Sequence, residues 1–135
     1  VTPTLAGTRP GGAISSAWAV MNYLGVSGYQ AKQRQVTEAR AAIEAGVEGL
    51  GFEVIGAPQL GILAFTRSDL DVFAVYRKLY ERGWVTSLCT QPKALHLMLS
   101  PFHASVTDQY LSDLAESVEA VEAGATETVT EVRYS

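Results

Sequence analysis

Apolar positions change their period along the chain. Between Gly12 and Leu24, residues Ile14, Ala17, Trp18, Met21 and Leu24 recur at intervals of three and four, and Ala13, Ala19 and Val20 make the remaining face apolar as well. The spacing predicts a helix over about 12–24 that calls for burial on most of its sides. Gly25 and Gly28 predict a short connection to a second helix over about 29–45, with Val36, Ala39 and Ile43 on one face and Lys32, Arg34, Glu38 and Arg40 largely elsewhere. Ahead of both, residues 1–10 carry Pro3 and Pro10 among small residues, which reads as loop, and Pro10 suits the first turn of the helix that follows.

After Gly46, Gly49 and Gly51 the pattern turns to short apolar runs, Phe52–Ile55 and Ile62–Thr66, joined by a Gly-Ala-Pro turn and expected to pair antiparallel. Residues 67–83 predict a helix capped by Ser68 or Asp69, with Phe73, Tyr76, Leu79 and Tyr80 as its stripe and Gly83 as its stop. Two more strands are expected in 84–88 and 94–100. Thr107 or Asp108 then opens a last helix that buries Tyr110, Leu111, Leu114, Val118 and Val121. The order β-β-α-β-β-α after residue 50 implies an α+β fold, an antiparallel sheet with helices over one face, which the 28–46 helix can also cover. From Gly124 the Thr- and Glu-rich tail has no firm period and is expected to fray or to pair with another element, and no internal repeat is evident.

Composition narrows the function classes. With 135 residues, 47% hydrophobic and 18% charged, the chain can build one proper core. A net charge of -4 with ten scattered Lys and Arg residues argues against nucleic acid as a partner. The single cysteine, Cys89, allows no internal disulfide, fits a reducing compartment and reads as a small buried apolar residue. No run approaches the ~20 apolar residues of a membrane-spanning helix and no secretory leader stands at the start, so the expected location is cytoplasmic. His96 falls in an expected strand and His103 in the loop beyond it, with no acidic residue beside them. No metal site is expected; His96 reads as a core or interface residue and His103 as exposed. Phosphate-loop, dinucleotide-binding, zinc-protease, paired-cysteine and nucleophile-elbow motifs do not occur.

The segment Gly7-Thr8-Arg9-Pro10-Gly11-Gly12 carries the best candidate chemistry. Amides of a small-residue loop entering a helix N-terminus, with the Thr8 hydroxyl and the Arg9 cation, favour an anion such as a phosphate. The competing reading is that Thr8 caps the helix and the glycines allow tight packing.

Two blocks, TPTLAGTRPGGAISSAWAVMNYLGVSGY at 2–29 and GWVTSLCTQPKALHLMLSPFH at 83–103, resemble the sphingosine-1-phosphate lyases and related group II pyridoxal-phosphate decarboxylases, in the order and spacing of that family. The resemblance covers about residues 1–121. It implies the C-terminal portion of a fold type I enzyme: the end of the large cofactor-bearing domain over 1–27, the small C-terminal domain over 28–123 and a tail over 124–135. It further implies a homodimer with the active site at the subunit boundary, where a loop hydroxyl reaches the cofactor phosphate of the neighbouring subunit. Thr8 stands where the family carries Ser, so Gly7, Thr8 and Arg9 become the expected cofactor-binding residues, with Arg9 holding the loop or the dimer; His96 matches a family histidine without a defined role.

Family members anchor the cofactor through a lysine that follows a histidine. The lysines here, Lys32, Lys78 and Lys93, do not. The chain is therefore expected to hold no catalytic residue of its own, to need the N-terminal portion of the same enzyme, cut or built separately from it, and to be inactive alone. The implied substrate is a phosphorylated long-chain amine, cleaved to an aldehyde and phosphoethanolamine, with amino-acid decarboxylation as the alternative. A free-standing α+β module that binds a ligand or a protein without catalysis is the rival from another class.

Overall fold

In the computed structural model, which describes residues 7–124, the described chain falls into two units that divide between Gln33 and Arg34. Residues 1–6 of the expected opening loop and 125–135 of the tail lie outside the described residues.

In the first unit, residues 7–10 are irregular and helix α1 (Gly11–Gly49) begins directly after Pro10. The two expected helices are one helical run broken at a single residue, Gly25, whose φ of 58° and ψ of -174° only glycine adopts without strain. The expected connection is thus shorter than Gly25–Gly28. Gly28 is helical, packed against the Leu24 side chain. Residues 11–23 are all exposed within this chain, Ile14, Trp18, Met21 and Tyr23 included. The burial that their apolar pattern calls for is not supplied by the described residues.

The second unit opens with the rest of α1, where Val36, Ala39, Ile43 and Val47 are buried at intervals of three and four, as the amphipathic pattern requires. Four antiparallel strands follow: β1 (Glu53–Val54), β2 (Ile62–Thr66), β3 (Ser87–Thr90) and β4 (Lys93–Met98), in the order β1-β2-β4-β3. Leu63 lies opposite Leu97 and Phe65 opposite Leu95, so these four buried side chains share one face. Against them pack Ile43 and Val47 of α1, Val75 and Leu79 of α2 (Val72–Glu81), and Leu114 and Val118 of α3 (Thr107–Glu122). Ile62 and Met98, on the other face, are more than half exposed. The fold is the expected α+β layer, with a 3-10 helix (Pro101–Ser105) added before α3.

Two local readings are corrected. The α2 cap is Asp71, whose carboxylate accepts the Phe73 N–H at 3.0 Å, while Asp69 is held by the Arg67 guanidinium. The buried face of α2 is Val72, Ala74, Val75 and Leu79; Phe73 and Tyr76 are half-buried at its border and Tyr80 is exposed. Leu111 is likewise partly buried on α3. Gly83 ends α2 as expected, at φ 92°.

A polar cluster ties the end of α2 to α3. The Trp84 indole N–H donates to Asp113 at 2.7 Å, Gln109 donates to the same carboxylate, and Arg82 pairs with Asp113 and Glu116. The indole hydrogen bond, helped by Gln109 and Arg82, holds the Asp113 carboxyl below its ordinary range. A lowered folded-state pKa stabilises the fold above the unfolded value and is lost as pH falls through the folded one. Asp113→Asn therefore unfolds at lower urea than the parent chain at pH 7, and the gap in midpoints closes as pH drops below about 4.

Candidate functional site

The first unit presents Gly7, Thr8 and Arg9 as exposed loop residues ahead of α1. Because α1 starts at Gly11, Thr8 stands upstream of the cap position. The first-turn N–H groups of α1 have no intrahelical partners and no acidic side chain sits among them. A Cβ added at Gly7, Gly11 or Gly12 would meet nothing within 4 Å, so the backbone is open to close approach. A helix N-terminus of this kind favours negative charge, and Thr8 and Arg9 are the hydroxyl and the cation of the exposed loop ahead of it.

The second unit holds a pocket of about 140 Å³ formed by α1, β3, β4, the 3-10 helix and α3. Pairing of β3 with β4 sets Ser87 opposite His96, and both line it. His103 enters from the 3-10 helix. Its Nδ1 accepts the Ser100 N–H at 2.8 Å, which leaves the ring hydrogen on Nε2 in the neutral form. His103 is thus half-buried, where the sequence reading expects it exposed; the ring closes a cap that turns the chain inward after β4. Cys89 is half-buried on β3 rather than fully buried. Among the described residues no group of three or more His, Cys, Asp or Glu comes together to hold a metal ion, and no helix is long and apolar enough to cross a membrane.

Tyr110 lines the same pocket from α3, its ring edge-on to Trp84 at 5.2 Å. It is 4% exposed, and neither its hydroxyl nor the buried Thr86 Oγ1 has a hydrogen-bonding partner. Each such orphan costs about 1–3 kcal/mol. Burial pushes the Tyr110 hydroxyl above its ordinary range and keeps it protonated. Sequence reasoning placed Tyr110 in the core through its helical spacing but gave no sign of the pocket, whose walls come from five separate segments.

No protein-family model matches the chain. A sphingosine-1-phosphate lyase of Oryza sativa subsp. japonica is 36% identical over 124 residues, which cover 91% of this chain and 23% of that protein. The solved sphingosine-1-phosphate lyase Bpss2021 of Burkholderia pseudomallei K96243 superposes with a TM-score of 0.85 at 31% identity, over 92% of this chain and 29% of that one. A probable L-tyrosine/L-aspartate decarboxylase of Methanothrix thermoacetophila is 33% identical over 114 residues, 84% of this chain and 29% of that protein. The chain thus spans less than a third of the length of each of these relatives. In sequence and in fold, it is similar over most of its length to a C-terminal part of the sphingosine-1-phosphate lyases and, less strongly, of the decarboxylases related to them.

Proposed function

We propose that this chain is the C-terminal part of a pyridoxal-phosphate-dependent lyase that cleaves a phosphorylated long-chain amino alcohol into an aldehyde and phosphoethanolamine. The observation that carries the proposal is the agreement of 36% sequence identity with a lyase over 91% of the chain and a TM-score of 0.85 to a solved lyase. Residues 1–27 then close the large domain, 28–123 form the small domain and 124–135 follow as a tail. The full protein works as a cytoplasmic homodimer, and the apolar surface of residues 14–29 supplies contacts to the rest of it.

Thr8 would hydrogen-bond the cofactor phosphate of the neighbouring subunit, Gly7 would let the backbone approach, Arg9 would hold the loop, and the α1 N-terminus would favour the negative charge. When bound, pyridoxal phosphate supplies the electron sink for carbon–carbon cleavage, while the protein binds and orients it. Its covalent anchor is a lysine outside this chain, since none of Lys32, Lys78 and Lys93 follows a histidine. Amino-acid decarboxylation is the second reading, favoured by the 33% identity to a decarboxylase.

Full-length protein incubated with a phosphorylated long-chain base is expected to release phosphoethanolamine and aldehyde, with Thr8→Val weakening cofactor binding about tenfold and Thr8→Ser preserving it. Release of carbon dioxide from amino acids instead selects the decarboxylase. Neither product overturns both readings, and unchanged cofactor affinity in Thr8→Val removes Thr8 from the phosphate site.

A further inference from the structure

The proposed chemistry leaves the pocket beside β3, β4 and the 3-10 helix without a role. We propose that it binds a small carboxylic acid in its ionised form, with an apolar body about one six-membered ring in size and with the carboxylate held by Ser87, His96 and His103.

Those three side chains line the pocket and are half-buried. Among the described residues neither the Ser87 hydroxyl, nor the His96 ring, nor Nε2 of His103 has a hydrogen-bonding partner. Each brings a donor. The Ser87 hydroxyl carries one, a neutral imidazole at His96 carries one in either tautomer, and the Ser100 N–H on Nδ1 of His103 leaves the hydrogen of that ring on Nε2. Ser87 and His96 are direct cross-strand partners on one face of the sheet, which sets their Cβ atoms about 5 Å apart, within reach of one group.

A carboxylate is the group that accepts several hydrogens at one place, with about four lone-pair sites on its two oxygens where an amide or alcohol oxygen offers two. Bonds to an ionised acceptor are also about twice as strong as neutral ones, and an imidazole can take up a proton to match the charge. No Asp or Glu lines the pocket, so nothing there repels the anion and nothing compensates a cation for its lost hydration. Ile43, Leu97, Leu99 and Val106 give the remaining wall its apolar character, and the volume of about 140 Å³ is close to that of cavities known to take benzene, which sets the size of the body. All these residues belong to the second unit, and the site is independent of the lyase reading.

Isothermal titration of the full-length protein with benzoate and, separately, with its neutral isostere benzamide tests the proposal. Benzoate is expected to bind about tenfold more tightly than benzamide, the step from neutral to charge-assisted hydrogen bonds. His96→Phe is expected to remove that preference. Ser87→Ala, a smaller change on the same face of the sheet, is expected to weaken benzoate binding about fivefold and benzamide binding less. Benzoate that binds no more tightly than benzamide in the unaltered protein overturns the proposal even if His96→Phe fails to fold. A benzoate preference that persists undiminished in both variants overturns it as well, because the carboxylate then sits elsewhere.

Discussion

Phe65→Ala is expected to lower the unfolding free energy of the chain by about 3–5 kcal/mol, the range for removing a fully buried phenyl ring. Phe65 is 0% exposed and sits mid-sheet, opposite Val54 on β1 and Leu95 on β4. Its ring meets Phe52 edge to face at 5.2 Å, so truncation removes that contact as well as the buried area. Two rigid strands and the helices packed over them leave little room for collapse, which places the cost toward the upper end. Phe102→Ala, at a ring 85% exposed, is the matched control and stays within about 0.5 kcal/mol. Urea denaturation followed by far-UV circular dichroism gives both values. A Phe65→Ala loss below about 1 kcal/mol contradicts a closed core under the sheet.

The elements that carry this core are also those the sequence announces. Val36, Ala39 and Ile43 on α1 and Tyr110, Leu114, Val118 and Val121 on α3 repeat at helical spacing and are buried as that spacing demands. The two inner strands, β2 and β4, read as short apolar runs because one face of each is buried. Where the structure departs from the expectation, the neighbours of each side chain decided the outcome. Ser68, Asp69 and Asp71 are all capping types within four positions, and only the three-dimensional placement of Arg67, which binds Asp69 and also Glu122 on α3, leaves the role to Asp71. On α2 the aromatic side chains suggest the buried face, but the sheet admits small side chains there, so Ala74 and Val75 lie beneath and Tyr80 outside.

Site legibility divides the same way. Gly7, Thr8 and Arg9 are contiguous, and a contiguous loop can be read from its letters. The Tyr110 pocket is assembled by the β3–β4 pairing and the helices packed beside it, which no local pattern encodes. The apolar pattern of 11–23 calls for burial, and these residues are exposed among the described residues.

Gly61→Ala is the other substitution with a large expected effect, about 3 kcal/mol of destabilisation from overpacking alone. Gly61 precedes β2 and lies across from Leu99, whose N–H donates to the Gly61 carbonyl at 2.6 Å and extends the β2–β4 ladder by one residue. A Cβ built there stands 2.5 Å from Val36 Cγ1 and 2.8 Å from the Leu99 carbonyl oxygen. Val36 is fixed in the buried face of α1 and Leu99 O belongs to backbone, so neither yields without parting helix from sheet or opening the ladder. Gly49, at the end of α1, has nothing within 4 Å of the same added atom. Gly49→Ala should be neutral or stabilise by up to about 1 kcal/mol, because alanine restricts the unfolded chain more than glycine does. Opposite signs at the two glycines in one urea series would tie the Gly61 loss to close approach rather than to helix or strand propensity. A loss at Gly61 no larger than about 0.5 kcal/mol would mean that α1 does not seat on the end of the β2–β4 ladder through Val36.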